Sequence, residues 1–272
     1  MKYKLIALDL DGTLKNSENK ITPKTKAALI KAQELGVKVV LASGRPTPGL
    51  RHEAKELELD RFGGYLLSFN GAHVCDYQTK ETIYEQTLTV EEAKKAYDRA
   101  KEYNLAVMTY ENDEVVTEDE QDEYVLVEGN INDINIHKID DFKANLKDPI
   151  HKVLCTGKPE YVATIIDEYK EPFGDTLSIY RSAPFFVEVM AQGIDKAASL
   201  DRLASKLGIK QEEVMAFGDG YNDLSMIEYA GLGVAMANAV DGVKERANVV
   251  TLSNNDDGIA YMLSKVIEGV EF

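Results

Sequence analysis

Short runs that are apolar along nearly their whole length, alternating with helix-like stretches, constrain this chain more than any other feature. Residues 3–8 and 37–42 are such runs, and residues 65–69 make a third. A strand covered on one face alternates apolar with polar side chains, whereas a strand without that alternation is covered on both. Between the first two runs, Thr22-Pro23 supplies an N-cap and a helix-starting proline for residues 24–35, and Gly36 ends that helix. The loop Ser43-Gly44-Arg45-Pro46 leads from the second run into a helical stretch reaching about residue 59. The alternation predicts an α/β fold whose parallel sheet carries helices on both faces.

The same order returns at the other end. Residues 195–207 read as an amphipathic helix, 214–217 as a strand and 223–229 as a helix. Strands follow at 231–235 and 248–251, with helices near 240–246 and 258–266. In between the texture changes: helices are expected at 89–103 and 158–170, strands at 152–156, 176–181 and 185–190, and acids crowd residues 111–128. Phe185, Val187 and Val189 alternate with Phe186, Glu188 and Met190, the pattern of a strand with one covered face. The expectation is a parallel-sheet core made of residues 1–82 and 190–272, with a second α/β domain inserted at residues 83–189.

Composition sets the outer limits. With 272 residues, 44% of them hydrophobic, the chain has material for one large domain or two ordinary ones. The 47 acidic against 31 basic residues give a formal charge of −16, a field that repels polyanions and argues against nucleic acid as a partner. All apolar runs fall short of the roughly 20 residues that span a bilayer. Residues 1–9 place an acid straight after a short apolar run, unlike a secretory leader, so a cytoplasmic protein without membrane attachment is expected. Cys75 and Cys155 lack CxxC spacing and adjacent histidine and are expected as buried thiols. His52, His73, His137 and His151 show no metal-ligand spacing.

The chemistry concentrates at strand ends. Asp9-Leu10-Asp11-Gly12-Thr13-Leu14 follows the first run directly. Open parallel sheets bind ligands beyond the carboxyl ends of their strands. There, one carboxylate of Asp9 and Asp11 can attack phosphorus while the other trades protons with the leaving group and water. Gly218-Asp219-Gly220-Tyr221-Asn222-Asp223 follows another apolar run and brings two more acids to the same edge. Four converging carboxylates need a hard cation, and Mg²⁺ suits their oxygen donors. Ser43 and the Gly44 amide can hold phosphoryl oxygens, and Lys196 can neutralise charge on the transferring group. Asn70-Gly71 is a turn signal at the same edge, with substrate contact a lesser alternative.

The stretches at Asp9–Thr13, Ser43, Lys196 and Gly218–Asp223 occur in the order of the four motifs of the haloacid dehalogenase superfamily, which the whole chain resembles. About ten residues separate Asp11 from the first expected helix, so the inserted cap falls between Ser43 and Lys196, similar to Cof-type sugar-phosphate phosphatases of subclass IIB. The resemblance implies a Rossmann-like core with an α/β cap that selects substrate. It also implies Asp9 as nucleophile and magnesium ligand, and Asp11 as general acid and base whose backbone carbonyl binds magnesium. Asp219 becomes a further ligand, and Ser43, Lys196 and Asn222 become phosphate contacts. Asp223 would support the metal or orient Lys196. Ala197 departs from the glycine that often follows the lysine in such enzymes.

The expected activity is hydrolysis of a small phosphorylated metabolite, a sugar phosphate first among candidates, with flavin or pyridoxal phosphates as alternatives. Arg181, Tyr180, Tyr110 and His137 are candidates for selecting it. Phosphoryl transfer to a sugar hydroxyl, as in phosphomutases, and a non-catalytic phosphate-binding module are the competing readings.

Overall fold

In the computed structural model, which describes residues 2–267 and 269, the first apolar run forms strand β1 (Leu5–Leu8), with every residue buried. Strands β2 (Lys38–Ala42) and β3 (Tyr65–Ser68) follow in parallel, and the antiparallel hairpin β4 (His73–Asp76) and β5 (Thr82–Glu85) extends the sheet. The chain then builds a second compact unit, residues 86–194, on six strands. These are β6 (Ala106–Glu111), β7 (Glu114–Thr117), β8 (Ile136–Lys138), β9 (Lys152–Thr156), β10 (Leu177–Ala183) and β11 (Phe186–Ala191). It returns to the first unit with β12 (Val214–Gly218), β13 (Leu232–Ala235) and β14 (Val249–Val250).

The first sheet runs β14-β13-β12-β1-β2-β3-β4-β5. Its central strands are covered on both faces, as their lack of alternation requires. Ile6 and Leu8 pack with Leu29, Leu41, Phe217 and Ile259 on one side, while Leu5 and Ala7 pack with Val40, Leu200, Leu203 and Ala216 on the other. Helix Pro23–Glu34 starts where expected, with the Thr22 hydroxyl accepting from the Thr25 amide at 3.2 Å and proline in its first turn.

Several boundaries differ from the sequence reading. The second unit begins at Gln86 instead of 83 and ends at Ile194 instead of 189. Residues 82–85 pair with β4 and so join the first sheet, and β11 continues to Ala191. The sheet is not wholly parallel, because the β4–β5 hairpin adds two antiparallel strands. The stretch at 223–229 opens with a 3₁₀ turn, Tyr221–Asp223, before the helix Leu224–Tyr229.

The second sheet runs β10-β11-β9-β6-β7-β8. One of its faces packs against helices Val90–Glu102 and Pro159–Lys170 through Val107, Val153, Val187 and Val189. Strand β11 does not have the solvent-facing side that its alternation predicts, since Phe186 through Met190 are all buried. Glu188 stays buried because Lys152 Nζ lies 3.3 Å from one of its oxygens and the Tyr180 hydroxyl donates to the other at 2.9 Å. Cys75 and Cys155 are free and buried, and burial pushes their thiols up to about 11 and about 12, well out of the reactive range.

Candidate active site

Strand β1 has β2 on one side and β12 on the other, all parallel. Their carboxyl ends therefore lie side by side, and the next residues in the chain are Asp9, Ser43 and Asp219. Lys196 arrives from the first turn of helix Lys196–Lys206, which begins there because Asp195 caps it, its carboxylate accepting from the Ala198 amide at 2.9 Å.

Asp9, Asp219 and Asp223 each place one carboxylate oxygen within 4.8 Å of the others. Lys196 sits among them with 1% exposure and uses all its protons. Nζ donates to Asp9 Oδ1 at 2.8 Å, to Asp223 Oδ1 at 2.6 Å and to the Ala42 carbonyl at 2.9 Å. Burial works against its charge, but Asp223 and Asp9 override it and hold the ammonium above the ordinary lysine range. The second oxygen of Asp223 accepts from the Asp219 and Gly220 amides at 3.0 and 2.9 Å. Asp223 thus braces both the lysine and the turn that presents Asp219.

Asp219 accepts from the Thr13 hydroxyl at 2.8 Å. Gly12 is required between them: its φ is +85°, and a Cβ there would meet Asp219 Oδ2 at 2.3 Å. The acids remain crowded. Burial first, then the Asp223 charge, raises Asp9 well above the usual carboxylate range. Burial, partly offset by Thr13, raises Asp219 to about 6. A set of buried and half-buried oxygen donors with an excess of negative charge over one lysine fits a hard divalent cation such as Mg²⁺.

Asp11 does not join this cluster with its side chain. Its carboxylate receives a two-point contact from Arg45, Nε to Oδ2 and Nη2 to Oδ1, both at 2.7 Å. Ser43 is buried, and its hydroxyl accepts from the Arg45 amide at 3.2 Å. Gly44 faces the Asn70 side chain closely enough that a Cβ would stand 3.1 Å from it. Asn222 is exposed and donates to Asn70 Oδ1 at 3.3 Å. The four histidines contribute nothing to the acidic cluster.

Sequence reasoning missed several supports. Arg45 was legible only as part of a loop, and Thr13 only as part of the hexapeptide. Asn70 carried a turn signal, and in the structure both Phe69 and Asn70 adopt left-handed backbone, φ +51° and +54°. Asn238 donates to the Gly12 carbonyl at 2.8 Å, and Asn254 donates to the Lys15 carbonyl at 2.8 Å, tying down the Asp9 loop from the far end of the chain. Neither asparagine carries a local pattern that could have marked it.

Parallel strands that gather acids and a serine at adjoining ends, beside a lysine from a helix start, are the frame of a phosphoryl-transfer enzyme. A family model described as haloacid dehalogenase-like hydrolase matches residues 6–263, and the chain belongs to that family. It is 42% identical to a haloacid dehalogenase-like hydrolase from Bacteroides thetaiotaomicron, covering 97% of this chain and 99% of that one, with a TM-score of 0.94. The 5-amino-6-(5-phospho-D-ribitylamino)uracil phosphatase YitU of Bacillus subtilis is 32% identical, with 96% of each chain covered. The structure of BT4131, a sugar phosphatase of HAD subclass IIB, matches with a TM-score of 0.79 at 27% identity, covering 97% and 98% of the two chains. Family and relatives together make this chain a phosphatase of the haloacid dehalogenase type.

Proposed function

We propose that this enzyme hydrolyses small phosphomonoesters in two steps with Asp9 as the nucleophile, and that it depends on Mg²⁺. The convergence of Asp9, Asp219 and Asp223 within 4.8 Å around Lys196 carries the reading. In the first step an Asp9 oxygen bonds to phosphorus, the bond from phosphorus to the leaving oxygen breaks, and Asp11 gives that oxygen a proton. In the second, a water oxygen attacks phosphorus, Asp11 takes its proton, and the acyl phosphate cleaves to return the Asp9 carboxylate. Ser43, the Gly44 amide, Lys196 and Asn222 bind phosphoryl oxygens. Asp9, Asp219 and the Asp11 backbone carbonyl would hold the cation, with Asp223 supporting them. Bound there, it would offset the charge of the nucleophile and of the phosphoryl oxygens.

We assign the choice of leaving group to the second unit, as its cap. Tyr180 and Lys152 converge on Glu188, and the Tyr110 hydroxyl donates to Glu128 at 2.5 Å. Such paired donors and acceptors suit a polyol. Sugar or sugar-alcohol phosphates are therefore the favoured substrates, in keeping with the names of YitU and BT4131. His137 and Arg181 are solvent-exposed and rank lower. No helix among the described residues is long and apolar enough to cross a membrane, and a cytoplasmic setting agrees with substrates of this kind.

The test is phosphate release from a panel of phosphorylated metabolites, with Mg²⁺ and with EDTA. Release that needs the metal and no acceptor sugar supports the proposal. Transfer only when an acceptor is added would favour a phosphomutase, and no turnover of any ester would favour a binding module.

A further inference from the structure

We propose that Arg45 is a positioning residue that fixes the Asp11 carboxylate for proton exchange with the leaving group and with water. The inference rests on the phosphatase reading above. Two parallel 2.7 Å hydrogen bonds hold both oxygens of Asp11, so the carboxylate cannot rotate without breaking one of them.

The two partners are mounted differently. The Arg45 side chain is 13% exposed and that of Asp11 50%. Arg45 is also tied through its backbone, its amide donating to Ser43 Oγ at 3.2 Å and its carbonyl accepting from the Phe69 amide at 2.9 Å. Asp11 precedes Gly12, whose left-handed backbone turns the loop. The largely buried arginine, anchored through its backbone, is therefore the reference against which a solvent-reachable carboxylate is aligned. An acid that serves a leaving oxygen in one step and water in the next needs that access and that alignment, since small displacements cost rate steeply.

The expected signature is a dependence on the leaving group. Dinitrophenolate departs without a proton, whereas an alkoxide needs one. With Mg²⁺ present, kcat/KM reads the first chemical step, and it should be measured for a series of alkyl, phenyl and dinitrophenyl phosphates with Arg45→Met, Arg45→Lys and Asp11→Asn. Arg45→Met should lose at least about tenfold on the alkyl ester and under about threefold on the dinitrophenyl ester, as expected when proton transfer is misaligned. Arg45→Lys should fall between wild type and Arg45→Met. Competitive inhibition by inorganic phosphate should stay within about twofold of wild type, and adding Arg45→Met to Asp11→Asn should cost little more.

An equal loss across the series with weaker inhibition by phosphate would make Arg45 a phosphoryl ligand and overturn the proposal. Unchanged kinetics in both arginine variants would overturn it too. If Arg45→Met does not fold, as judged by circular dichroism, the slope for Arg45→Lys decides alone: a steeper dependence on the leaving group than wild type supports the proposal and an unchanged slope rejects it. Wild-type protein that fails to cleave even the dinitrophenyl ester would reject the phosphatase reading itself, a result distinct from a failure confined to the arginine variants.

Discussion

The Thr13 hydroxyl donates to Asp219 Oδ1 at 2.8 Å, joining positions 206 residues apart. That bond locks the loop after β1 to the loop after β12 and aims one carboxylate oxygen of Asp219 while satisfying it. Thr13→Val keeps the shape and removes the donor. Metal affinity should fall by about tenfold or more, the usual effect of losing a group that orients a ligand. Titration of activity against Mg²⁺ checks this; the variant should recover most of its rate at high Mg²⁺.

Asp223 carries more structural burden than its place at the edge of the motif suggests. Asp223→Asn keeps the volume but loses the charge opposite Lys196 and disturbs two amide contacts. Breaking a buried pair on one side costs about 3 kcal/mol or more, so the variant should melt well below wild type in a thermal scan. A melting temperature within a degree or so of wild type would mean that the brace contributes little.

Protonation and metal binding should oppose each other. Asp219 has a folded-state value of about 6, above the ordinary 3.8, so its ionisation disfavours the metal-free fold. Asp9 is shifted in the same direction. Their penalty is absent below the ordinary value and grows as pH rises through the raised one. On the proposed reading, Mg²⁺ would bind the ionised carboxylates. It should therefore raise the melting temperature more at about pH 7.5 than at about pH 5. A metal-induced shift that is equal at both values would contradict this picture.

Much of the site was readable because parallel strands bury both faces. Continuous apolar runs marked β1, β2 and β12, and residues directly after such runs must emerge at one sheet edge. Asp9, Ser43 and Asp219 follow from that topology. The hairpin β4–β5 was not readable, since its short strands carry polar ends and no long alternation, and its omission moved the unit boundary. Glu188 misled for another reason: its burial depends on Lys152 and Tyr180, partners set by strand register and invisible in the local pattern. Arg45, Asn238 and Asn254 act through single hydrogen bonds or pairs between remote loops, and composition leaves no trace of such contacts.

The central claim is that Asp9 takes the phosphoryl group onto its own oxygen. Dinitrophenyl phosphate radiolabelled at phosphorus, mixed with Asp11→Asn protein and quenched in acid, tests it most directly, because its leaving group departs without a proton and only the water step is slowed, so the intermediate should accumulate. The account predicts label on the peptide that contains Asp9, released by hydroxylamine and absent from Asp9→Asn, whose fold should be intact by circular dichroism. Label on another residue, or steady turnover by Asp9→Asn at a tenth or more of the wild-type rate, would contradict it.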